Sequence, residues 1–246
     1  MQQIIDNAKP DKIPAIFQLG FRVFFLSGAF FCVIALFLWG TIFFHGMAIT
    51  PFGGTFWWHG HEMVYGFSSA IITGFLLTAV QTWTGIPAIK GSILSALFTL
   101  WLIARLLILF PGNIPQLVIS IVDLSFLPIV TYTLAYPIIK IKQWRNLIFV
   151  PILLLLFIEN FIMHRGLWTE QAILSRNGVW GAVLTIILLI SIMGGRVIPF
   201  FTARATNTDQ PAAIMWLELI ANIPIFLLII YFITSKPAFM PLTALV

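Results

Sequence analysis

The chain has 246 residues, of which 60% are hydrophobic and only 9% charged, with a formal net charge of +5 and a mean hydropathy of +1.04. That composition excludes an ordinary soluble domain and points to lipid as the solvent. The basic excess does not indicate nucleic acid, because Lys and Arg sit in the connections flanking apolar runs and form no basic face to meet phosphates.

Seven segments approach the ~20 apolar residues that a bilayer-spanning helix needs. They fall at about 23–44, 62–82, 91–110, 114–136, 147–164, 178–200 and 213–234. The runs are too long and too uniformly apolar for outer-membrane strands. In hydrocarbon every backbone group must be satisfied within the protein. The expected fold is therefore all-α: one integral-membrane domain over 1–246, built as a polytopic transmembrane helical bundle. The first run is too long for a signal-peptide core and no small-x-small site follows it, so no cleavable signal is expected. Lys9, Lys12, Arg22, Lys90, Lys140, Lys142, Arg145, Arg196 and Arg204 fall on one side of alternating helices, against Arg165, Arg176 and Lys236 on the other. The bias predicts a cytoplasmic N-terminus and an external C-terminus.

In chain order, the first segment holds Cys32, the only cysteine. No internal disulfide is possible, and a buried thiol is expected. His45 lies at this segment's outer end. The second opens with "FWWHGHEMVYGF", residues 56–67, which carries His59, His61, Glu62 and Met63. Phe56, Trp57 and Trp58 suit the aromatic belt at headgroup level. A helix that begins as early as His59 would set His59 and His61 about 160° apart, so they would serve different partners. A helix that begins between them leaves that open. Gly66, Ala70, Gly74 and Thr78 then recur every four residues below Glu62, a stripe that admits a close helix or a flat cofactor.

The next three segments contain Arg105, Asp123 and Glu159, and the fifth ends at His164. An unpaired charge at such depth costs about 2.5–3.5 kcal/mol on insertion scales. Arg105 is expected to pair with Glu159 or Asp123. The pair either fixes helix register or sets a cation and carboxylates beside a metal centre, as a clamp for haem propionates or a proton path. The sixth segment ends in "MGGRVIPFFT", where Pro199 interrupts the helix ladder. Its Arg196 lies at a depth similar to Glu218 of the seventh and is placed to pair with it, as an inner-face anchor or a further motif.

This topology gathers His45, His59, His61 and His164 at the outer face, beside Met47, Met63 and Met163. Imidazole with thioether suits haem iron or copper, whereas hard cations would want carboxylates and carbonyls. A retinal protein is excluded because every lysine lies in a loop or terminus. A haem–copper oxidase core needs more than the four histidines present.

"WWHGHEMVYGFSSAIITGFLLTAVQTWTG" resembles the signature of the NnrS family of membrane proteins. "RVFFLSGAF", "WLIARLL", "VDLSFLP", "RNLIFVPILLL", "MH" and "GGRVIPFFT" extend the resemblance in order over roughly 20–205. The resemblance implies a bacterial inner-membrane protein that contains haem and copper and is linked to nitric oxide metabolism and nitrosative-stress resistance. It implies that His59 and His61 belong to a W-x-H-x-H-E-M element and that His164 is the histidine of the fifth helix. It does not divide them between haem and copper, and His45 matches no motif. Typical members carry more helices than the seven counted here. That implies a short branch, an interrupted reading frame or a half that pairs as a homo-oligomer. Two other readings stay open: a membrane haem subunit for electron transfer or assembly without nitric oxide chemistry, and a small transporter built on Arg105, Asp123 and Glu159. The resemblance fixes no reaction.

Overall fold

The computed structural model describes residues 13–46, 49–210, 212 and 214–234, with no side chain for His45. The described residues form helices and no strand. The main helices are α1 (Gly20–His45), α2 (Thr55–Thr84), α3 (Ser92–Leu109), α4 (Gln116–Lys140), α5 (Phe149–Trp168), α6 (Ala172–Thr206) and α7 (Met215–Thr234). All seven are long and apolar enough to cross a membrane. Lys9, Lys12, Met47 and Lys236 lie outside the described residues.

Both ends of α6 and the start of α2 depart clearly from the hydropathy reading, α6 beginning at Ala172 rather than near 178. α6 runs through Pro199 to Thr206, so that proline does not end the helix. α2 begins at Thr55 rather than near 62. Gly53 and Gly54 turn the chain with φ of +73° and +82°, values that glycine adopts without strain. The Phe52 amide then donates to the Ile108 carbonyl (2.8 Å), fixing this turn to the end of α3. The early start takes Trp57 and Trp58 into the core, at 9% and 1% exposure, instead of the headgroup belt. Only Phe56 of that trio faces outward.

α2 is the most buried of the seven spans and α7 the least. α2 packs on α1, α3, α4 and α6, whereas α7 rests on α6. The other apolar faces, such as Phe30, Val33 and Phe37 of α1, point outward as lipid contact requires.

Residues Glu62–Ser68 of α2 form a π-helical segment. Its wider turn directs the Ser69 amide to the Val64 carbonyl, five residues back. Side chains take up neighbouring carbonyls: Ser68 Oγ donates to Met63 O at 2.8 Å and Trp101 Nε1 of α3 to Gly66 O at 3.0 Å. Such segments recur at functional sites because they re-aim side chains.

The small-residue stripe proves to be a helix-packing seam with α1. Gly66 lies against Phe31, and a Cβ on Gly28 would stand 3.2 Å from that of Ala70. The Phe21 amide donates to Thr78 Oγ1 at 2.9 Å. A Cβ on Gly74 would lie 2.9 Å from the Phe25 ring and 3.0 Å from Phe24 Cβ. Gly74→Val is therefore expected to destabilise the bundle by about 1–3 kcal/mol through overpacking. A lowered thermal midpoint of the detergent-purified protein, with α-helical circular dichroism retained before the transition, checks this.

Candidate metal centre

The polar residues buried near the start of α2 converge on Asp123 of α4. His61 Nε2 lies 3.1 Å from Asp123 Oδ2, and His164 Nε2 of α5 lies 3.1 Å from the same oxygen. These three residues are buried, and their ligating atoms all lie within 4.8 Å of one another. Separations near 3 Å match neighbouring donors around one ion with bonds of ~2.1 Å.

The opposite ring nitrogens are anchored. His61 Nδ1 meets Glu62 Oε1 at 2.9 Å, and His164 Nδ1 meets Ser120 Oγ at 3.0 Å. Ser120 Oγ in turn accepts from Trp168 Nε1 at 3.3 Å. Partners of this kind orient metal-binding histidines. The Trp57 ring stacks on His61 at 4.5 Å and 12°, and meets His164 edge-on at 5.3 Å.

Arg105 of α3 ties the carboxylates together. Nη1 donates to Glu62 Oε1 at 2.9 Å and Nη2 to Asp123 Oδ1. Of the two partners expected for Arg105, Asp123 is found and Glu159 is not; Glu62 takes the second place. Glu62 heads the π segment and reaches Arg105 of α3 with one carboxylate oxygen while the other lies beside Gly66. Glu159 instead accepts from Thr185 Oγ1 of α6 at 2.7 Å. It occupies a notch at Gly181, where a Cβ would stand 3.0 Å from its Oε1.

The acceptors outnumber the donors. Both ring nitrogens of His61 face oxygens: Glu62 Oε1 on one side, Asp123 Oδ2 and Asn160 Oδ1 (3.0 Å) on the other. A neutral imidazole has one N–H and cannot serve both sides. Two carboxylates face one guanidinium, which leaves one negative charge in a site sealed from water. A cation at Nε2, whether a second proton or a metal ion, resolves both mismatches.

The remaining expected residues disperse. His59 turns away from His61, as an early helix start requires, and stacks on Trp39 of α1 at 4.2 Å. Its Nδ1 is buried without a partner. Met63 packs against the apolar core. Met163 is buried against Gly178, and its carbonyl accepts from Ser175 Oγ at 2.9 Å. His45 ends α1, its side chain lying outside the described residues. Arg196 donates to the Arg145 carbonyl and to Asn146 Oδ1, each at 3.3 Å, rather than closing an ion pair with Glu218. Both residues line a cavity between α6 and α7 at the other end of the bundle.

Ser120, Asn160 and Trp168 were not singled out by sequence. Asn160 carried a usable signal, a polar side chain inside an apolar helix. Ser120 and Trp168 carried none, since both are ordinary in such helices.

A model of the NnrS protein family matches residues 15–246. No curated protein and no solved structure matches the chain.

Removing Arg105 would strand Glu62 and Asp123 in the core. Arg105→Ala is expected to cost about 3–5 kcal/mol, the range for breaking a buried ion pair. Arg105→Lys should recover only part of it, because one ammonium does not reproduce the two-pronged contact. Unfolding of both variants in detergent, compared with the parent, checks the order.

Proposed function

The chain belongs to the NnrS family, and on that footing we propose that this multi-pass membrane protein binds one transition-metal ion between His61, Asp123 and His164. It serves, as the family resemblance implies, in the response to nitric oxide or nitrosative stress. The observation that carries the metal site is the convergence of two imidazole nitrogens and one carboxylate oxygen in a sealed core.

Copper suits this donor set, because imidazole is among its preferred ligands. A bound cation would also offset the single uncompensated charge of Glu62, Asp123 and Arg105. Copper bound there would supply one-electron chemistry toward a small molecule. The protein's own part is distinct: Glu62 and Ser120 hold the two rings in orientation, Arg105 holds Asp123 and Glu62, and the surrounding indoles exclude water.

Haem does not fit between His61 and His164, because Asp123 and Asn160 fill the space between the rings. The described histidine that suits haem is His59, with its orphaned Nδ1 and its exposed neighbour Phe56. We place the His61 end outside and the protein in the bacterial inner membrane, following the Lys and Arg bias and the family resemblance.

A metal-free polar knot is the second reading. It is favoured by one observation: all four ring nitrogens of His61 and His164 already have oxygen partners.

The two readings separate on elemental analysis. The copper reading expects about one ion per chain after expression with added copper, and loss of that ion in His61→Ala and His164→Ala. Glu62→Gln should weaken affinity by about 10–100-fold, as for other outer-shell partners of metal-bound histidine. A folded parent that holds no metal under these conditions leaves the polar knot as the answer.

A further inference from the structure

Beside the centre lies a cavity of about 800 Å³, enclosed by the first turns of α2, the end of α5 and the start of α6. Phe56, Trp57, Gly60, Leu167, Val179 and Trp180 form its apolar lining. Phe56 and Trp180 are exposed at 73% and 48%, so two large apolar side chains stand at its open edge. Its charged lining residues, Glu170 and Arg176, are both exposed.

Trp57 belongs to both places. One indole lines the cavity, stacks on His61 and touches His164 edge-on. Gly53 presses the same ring, since a Cβ there would stand 2.7 Å from it. Phe52 meets it edge-on at 5.5 Å. A single polar contact restrains it, a long 3.4 Å bond from Nε1 to the Met163 carbonyl. His61 and His164 are themselves fully buried and Asp123 is 3% exposed. Trp57 is thus a cavity-lining side chain in ring contact with both candidate ligand histidines.

We propose that the cavity is a binding and entry site for a small, uncharged, lipid-soluble ligand, and that Trp57 separates this site from the metal centre. The inference rests on the metal reading above. The lining is mostly apolar and its two charged residues are exposed, so a charged ligand inside would lose water with little compensation and a neutral one is favoured. A neutral molecule dissolved in the bilayer enters at the Phe56–Trp180 rim without leaving an apolar medium. Displacement of the Trp57 ring then admits it to the His61 and His164 side.

The test uses the full chain and two probes. Crystals under xenon are expected to show xenon beside Trp57, and Val179→Phe is expected to remove it. Ala172→Phe fills the same cavity from the exposed start of α6 and serves if Val179→Phe does not fold. The second probe is carbon monoxide, followed by flash photolysis on the copper-loaded, reduced protein. Filling the cavity should slow carbon monoxide association about tenfold, and Trp57→Phe should speed it by a similar factor, with rates taken on the copper-bound fraction of each variant. An acyl chain that xenon does not displace overturns the binding site. Xenon in the cavity with unchanged association rates in the filled variants overturns the entry route. Xenon bound beside Trp57 in a chain that holds no metal overturns the metal reading and the route with it, but leaves the apolar-ligand site standing.

Discussion

Arg105 bridges two carboxylates inside the bundle, and the candidate centre hangs from that bridge. Glu62 fixes His61 through Nδ1, and Asp123 receives both His61 and His164 through Nε2. Each carboxylate is held by one arm of the same guanidinium. Without it, two negative charges would stand unpaired at 0% and 3% exposure, an arrangement that hydrocarbon does not tolerate. The guanidinium suits this task because its fork spans two acceptors at once and keeps its charge. Helices α2, α3, α4 and α5 are thereby locked in one mutual rotation by a polar cluster, inside a bundle whose apolar surfaces discriminate little between rotations.

The π segment of α2 is the second constraint. It sits directly after His61 and carries both Glu62 and Tyr65 inward. Its carbonyls are taken up by Ser68, Ser69 and Trp101, so the wider ladder is paired rather than left open. Gly66 lies within it because a side chain there would collide with Phe31 and with Glu62 Oε2. The same stretch of chain thus supplies the seam to α1 on one face and the charged cluster on another. This double use explains why so much specific sequence is concentrated between Trp57 and Gly74.

Sealing and access meet at one ring. The centre is closed because Trp57, Phe52, Trp168 and Tyr65 surround the two histidines. Yet Trp57 is held by packing and one long hydrogen bond, whereas the ligand-bearing side chains are held by charge. A dry interior strengthens the electrostatic contacts that orient the donors. It also restricts what arrives to species that cross apolar surroundings.

Hydropathy and motif, read along the chain, were enough for the seven spans, the all-helical class and the family. Both are local properties. Helical spacing also determined that His59 and His61 part company once the helix includes both. Helix packing set which histidine joins His164, that Glu62 rather than Glu159 shares Arg105, and that Trp57 and Trp58 are core instead of belt. Those outcomes depend on how each helix is rotated about its axis and on the extra residue per turn in the π segment. An apolar run that is hydrophobic all round states neither. The stripe Gly66, Ala70, Gly74 and Thr78 could be read as a seam or a cofactor face until Phe24, Phe25 and Phe31 of α1 were found filling it.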